Sequence, residues 1–155
     1  MEQLLNFKTA FAPAEVVSAE TLQQQYHHLT NLSEWKDVFS RQDVPLAILN
    51  AERQVVIANS ALLRLLGGAA FSDVIGKRPG ELLHCEVAER TLLGCGTAAE
   101  CGNCLALRTI QTAVRINRAQ SYAVVIQTNG KYLELELSAT AVDTPLGRFT
   151  VVQFG

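Results

Sequence analysis

The chain has 155 residues, 48% of them hydrophobic and 18% charged, with 13 Lys and Arg against 15 Asp and Glu. That length suits one domain with an added helix, and the composition excludes a disordered chain. No block of like charge offers a footprint for nucleic acid or an anionic membrane, no apolar run reaches the roughly 20 residues of a bilayer span, and the start M-E-Q-L-L-N-F-K lacks the features of a signal peptide. The expectation is a cytoplasmic protein with no direct nucleic-acid partner and no membrane partner.

Residues 1–17 carry Phe7, Phe11 and Pro13 without a period, and read as a lead-in that docks on the domain or on a partner chain. From Ser18 the pattern sharpens. Leu22, Tyr26, Leu29, Leu32 (or Ser33), Trp35 and Phe39 recur every three or four residues, which predicts an amphipathic helix over 18–40. Ser18 supplies its cap, and Glu20 a negative first turn. His27 and His28 read as a solvated face, because adjacent helical side chains point about 100° apart and cannot grip one ion together. Residues 1–42 thus form an extension that ends in a helix, ahead of a domain over 43–155.

Within that domain, V-P-L-A-I-L-N and Q-V-V-I-A-N, joined by A-E-R, predict a β-hairpin, with Pro45 at its start where a missing N–H is tolerated. S-A-L-L-R-L-L-G-G predicts a short helix capped by Ser60 and stopped by Gly67. Ser72 and Asp73 open another helical turn before Gly76. Lys77-Arg78 reads as a minor surface feature, and Pro79-Gly80 as a break. L-A-L-R-T-I-Q-T-A-V-R-I-N predicts a helix of about three turns over 105–117. Its core side is Leu105, Leu107, Ile110, Ala113, Val114 and Ile116, and Arg108, Thr109, Gln111, Thr112 and Arg115 lie opposite.

Three strand patterns follow. Asn129-Gly130 joins the first two, since both central residues of a type I′ turn need positive φ. In Y-L-E-L-E-L the alternation sends Leu133, Leu135 and Leu137 inward and Tyr132, Glu134 and Glu136 to water. The order predicts an α+β domain, with helices on one face of a five-stranded antiparallel sheet.

All four cysteines, Cys85, Cys95, Cys101 and Cys104, fall within 20 consecutive positions, spaced Cys-x9-Cys-x5-Cys-x2-Cys. In a reducing compartment such a cluster points to metal or redox chemistry rather than structural disulfides. A tetrathiolate set serves an iron–sulfur cluster or a structural zinc ion. Zinc sites commonly offer two tight Cys-x2–4-Cys knuckles, and only Cys101 to Cys104 is one. The wider loop favours a cluster, with Gly94, Gly96 and Gly102 freeing backbone N–H groups to turn toward sulfur. A thiol–disulfide switch of Cys101 and Cys104 is the third reading, and Cys85 alone could be a buried hydrophobe. His84 reads as a cap on the last carbonyls of a short helix rather than a ligand. No Ser/His/Asp or paired-carboxylate constellation points to an enzyme.

The hairpin, V-I-G-K-R-P-G-E-L-L-H-C and the closing three strands resemble a PAS domain over roughly 43–154, in which an Asn like Asn59 begins the first helix. Gly94-Cys95-Gly96-Thr97 followed by Cys101-Gly102-Asn103-Cys104 is similar to a subset of bacterial sensory-box proteins. The resemblance implies a sensor that reads a small molecule, a cofactor or redox state, and dimerises through a helix ahead of its first strand. The helix at 18–40 stands in that position and implies a homodimer that signals to an output protein or domain. The resulting expectation is an iron–sulfur cluster on Cys85, Cys95, Cys101 and Cys104 that responds to redox state, oxygen or nitric oxide. Its loss would release the loop before the helix at 105–117.

Overall fold

In a computed structural model the described residues are 9–33, 35 and 43–155. The part of the expected N-terminal helix that contains Phe39 lies outside them. The hairpin forms as β1 (Leu46–Leu49) and β2 (Val55–Ala58), antiparallel, with the register shifting between Ile48 and Leu49. All four residues of β1 are buried, because the sheet is covered on both faces. On one side lies α1 (Ala19–Thr30), capped as expected by Ser18, whose hydroxyl accepts from the Thr21 N–H at 3.1 Å. Leu22 and Leu29 of α1, with Trp35 beyond it, pack on Ile48, Val56 and Phe149. The described part of the stripe is therefore engaged on the chain's own sheet.

The other face carries the remaining helices. Asn59 rather than Ser60 caps α2 (Ser60–Leu65), as the family resemblance implies: its Oδ1 accepts from the N–H groups of Leu62 and Leu46, both at 3.0 Å, and its Nδ2 donates to Val44 O at 2.7 Å. One side chain thus starts the helix and anchors the head of β1. Gly67 ends α2 at φ +80°, the left-handed stop that its position predicts. After α3 (Phe71–Val74), the pair Pro79-Gly80 does not break the chain. Pro79 opens α4 (Pro79–Leu82), since its fixed φ suits a first helical position, where no N–H is needed.

Beyond α5 (Glu86–Arg90) and a 3-10 turn (Ala99–Asn103), α6 (Leu105–Ile116) packs across three strands, β3 (Gln120–Thr128), β4 (Lys131–Thr144) and β5 (Gly147–Phe154). Its buried face is Ala106, Leu107, Thr109, Ile110 and Ala113, which corrects the expected stripe. Leu105 and Ile116 are about half exposed, whereas Thr109 is buried because its hydroxyl donates to Leu105 O at 2.6 Å. The sheet order is β2-β1-β5-β4-β3, antiparallel throughout. Asn129 (φ +50°) and Gly130 (φ +73°) make the expected turn, and Leu137 lines the core while Tyr132, Glu134 and Glu136 face water.

Candidate metal centre

The path of the chain brings the four cysteines together. Helix α4 ends with His84 in the left-handed region (φ +53°), the Cys85 N–H returning to Gly80 O at 2.8 Å. This is the Schellman exit with His where Gly is usual. The role expected of the His84 ring is thus taken by its backbone. The ring itself is exposed, with Nδ1 3.0 Å from Glu89 Oε1, and is not part of the cavity described below. His27 is exposed and His28 half-buried.

The exit aims Cys85 at Thr128 of β3, with which it forms an isolated β-bridge. Gly94 (φ +87°) and Gly96 (φ +89°) then turn the backbone on either side of Cys95. Cys101 sits in the 3-10 turn, and Cys104 is the cap position of α6. All four cysteines are free thiols, and all four line one cavity of about 210 Å³. The rest of its wall is largely apolar, from residues such as Leu83, Ala88, Ile110 and Ile126. Among the described residues, no three Cys, His, Asp or Glu side chains converge on a point tightly enough for a single metal ion. The thiols surround a volume.

The Cys95 sulfur receives a backbone N–H group, from Gly80 at 3.3 Å, whereas Cys104, at the cap position of α6, makes no side-chain capping hydrogen bond. The glycines expected to supply such donors, Gly94 and Gly96, make the loop's turns instead. A Cβ on Gly80 would lie 2.7 Å from Cys95 Sγ, so only glycine lets α4 come this close. Burial pushes the Cys95 thiol up to about 12, against the opposing pull of the Gly80 N–H, while the Glu81 carboxylate adds to the rise. Burial also raises the Cys104 thiol, with the N–H groups of Leu107 and Ala106 opposing.

Sequence reasoning missed two arginines. Arg53, read as a turn residue, and Arg78, read as surface, are 8% and 3% exposed. Arg53 also lines the cavity, and its Nη2 donates to Pro13 O at 2.8 Å and Cys95 O at 3.2 Å. Arg78 donates to Glu15 O at 2.7 Å and Glu52 O at 3.0 Å. Their burial comes from residues 9–17, which strap across the loop: Ala10 and Ala12 donate to Thr97 O at 3.0 Å and Gly96 O at 2.9 Å, and the Val17 N–H reaches Gln54 Oε1 at 2.9 Å. No hydrophobic period marks these arginines, because the segment that covers them has none.

Among solved structures, the chain is similar to the PAS domain of nitrogen regulation protein NR(II) from Vibrio parahaemolyticus, with a TM-score of 0.57 and 14% identity over 80% of this chain and 98% of that one. It is also similar to an RNA-binding light-oxygen-voltage receptor (TM-score 0.53, 19% identity, 81% of this chain and 33% of that). A third similar structure is the PAS domain of an HTR-like protein from Haloarcula marismortui (TM-score 0.50, 10% identity, 79% and 94%). No protein-family model matches the chain, and no curated protein matches it in sequence. The fold is that of a PAS domain.

Proposed function

We propose that this PAS-fold domain is a sensory module that binds an iron–sulfur cluster through Cys85, Cys95, Cys101 and Cys104, and that redox change, oxygen or nitric oxide acting on the cluster is its signal. One observation carries the reading: four thiols spread over 20 positions all line the same 210 Å³ cavity. A bound cluster would supply one-electron chemistry and sensitivity to oxygen and nitric oxide. The chain's own part is to present four thiolates, donate the Gly80 N–H to Cys95, and exclude water with apolar walls.

Two rival readings meet specific observations. A single zinc ion needs its sulfurs about 2.3 Å from one point, whereas these stand around a volume. A thiol–disulfide switch of Cys101 and Cys104 needs a low-pKa thiol, whereas burial raises Cys104. The signal passes to an output protein or domain, and homodimerisation belongs to the same proposal. Anaerobic reconstitution with ferrous iron and sulfide tests it. A brown protein with stoichiometric iron and sulfide supports the cluster. A colourless one lacking both overturns it, and one zinc per chain with stability lost on chelation establishes the structural-zinc alternative.

A further inference from the structure

Arg53 and Arg78 are both buried, and among the described residues neither has a carboxylate within ion-pair distance, since the ion pairs are His84–Glu89, Arg90–Glu100 and Arg148–Asp143. Burying an unpaired cation is costly, and two side by side more so. Arg53 carries a second anomaly. Its Nε is fully buried and finds no acceptor, while the same guanidinium lines the cysteine cavity. The plane of Arg53 lies across Gly96, where an added Cβ would sit 3.0 Å from Nη2. The Glu81 carboxylate acts on both guanidiniums from nearby without forming an ion pair with either, and the Arg53 Nε–H beside the cavity still lacks an acceptor.

Four thiolates around a dication, whether an oxidised four-iron cluster or zinc, leave a net charge of about −2. We infer that Arg53 is the counter-charge for that anionic centre and the tie through which its presence holds down the strap of residues 9–17. The inference rests on the cysteines holding a metal centre, and not on which metal. The Arg53 guanidinium lines the cavity while its Nη2 grips Pro13 O and Cys95 O together, so one planar fork connects the cavity, the cysteine loop and the segment that leads into α1. Emptying the cavity strands the cation and loosens its grip on Pro13. The signal then leaves through the N-terminal strap, in addition to the loop before α6.

Amide hydrogen exchange on the full chain tests this, with the metal-free protein compared with protein loaded either with ferrous iron and sulfide or with zinc alone. In the wild type, loading slows exchange at Ala10 and Ala12 by at least tenfold more than at the core amides of Ala139 and Val152, whose slowing reports only the gain in global stability. In Arg53→Met the strap does not respond, and the iron-loaded variant has a lower midpoint potential than the wild type. Arg53→Lys keeps the charge without the planar fork, so it retains more of the potential and loses the strap response; it decides the matter if Arg53→Met does not fold. Slowing in both variants equal to wild type overturns the inference, as does metal uptake by the wild type with no slowing at Ala10 and Ala12 beyond that at Ala139 and Val152. Uptake of zinc but not iron, with the strap slowed, removes the cluster reading and supports the inference. Uptake of neither overturns both.

Discussion

Gly80 and Cys95 touch as closely as a backbone and a sulfur can. The Gly80 N–H donates to Cys95 Sγ at 3.3 Å, and any Cβ at position 80 would overlap that sulfur at 2.7 Å. Its φ is not in the left-handed region, so the demand for glycine is purely steric. Gly80→Ala therefore has to displace Cys95 or tilt α4. It is expected to cost about 1–3 kcal/mol as overpacking, and to lower metal uptake more than it lowers stability. Urea melts paired with metal-to-protein ratios check this. Unchanged uptake would mean that Cys95 is not a ligand.

The raised Cys95 thiol gives a pH signature. A cysteine in the unfolded chain ionises near 9, while Cys95 in the fold keeps its proton to about 12. The unfolded state loses the proton first, so the metal-free fold is fully favoured below pH 9 and loses stability as pH rises from about 9 toward 12, by about 1.4 kcal/mol per unit at most. Cys104 acts in the same direction. Urea midpoints of metal-free protein at pH 8, 9 and 10 should fall in order, and fall less in Cys95→Ser. Metal affinity runs the other way, rising with pH, because binding must expel these protons.

Substituting the two cysteines outside the Cys-x2-Cys pair separates the chemistries. In Cys85→Ser and Cys95→Ser a hard oxygen replaces a soft thiolate, and bound iron should fall at least twofold in each. A thiol–disulfide device working through Cys101 and Cys104 would keep its full redox response in both variants, read by thiol titration after oxidation.

Leu29 is fully buried between α1 and the sheet. Leu29→Ala should cost about 2–5 kcal/mol. Because the contact lies within the chain, the loss should be the same at every protein concentration. A loss that shrinks as concentration rises would show that α1 is stabilised by a second copy instead.

Which parts of this molecule were legible follows from where their information resides. The strands and the Asn129-Gly130 turn depend on local alternation and on backbone angles that few residues tolerate, so short windows of sequence specify them. Asn59 could be placed only by likeness to a family, because a plain capping rule favours the adjacent Ser60. Thr109 was misplaced because its burial depends on a hydroxyl returning to its own helix, which no hydrophobic period records. The cysteines were visible as a set, but their shared cavity, the donor at Gly80 and the unpaired charge of Arg53 arise from tertiary approach. Pro13, Arg53 and Cys95 are far apart in sequence and meet at one guanidinium. No window short enough to scan contains all three.

The strand order places β5, the last of the five to be synthesised, between β1 and β4 at the middle of the sheet. Until Gly147–Phe154 has left the ribosome, β1 and β4 have no common neighbour. The four thiols lie 43 to 62 residues ahead of Gly147 and emerge before the sheet that forms one wall of their cavity. Assembly is therefore ordered in time. Closing the sheet must wait for these long-range pairings, which are slow relative to local helix formation, and a metal that arrives sooner meets a flexible chain of thiols instead of a finished, water-excluding container.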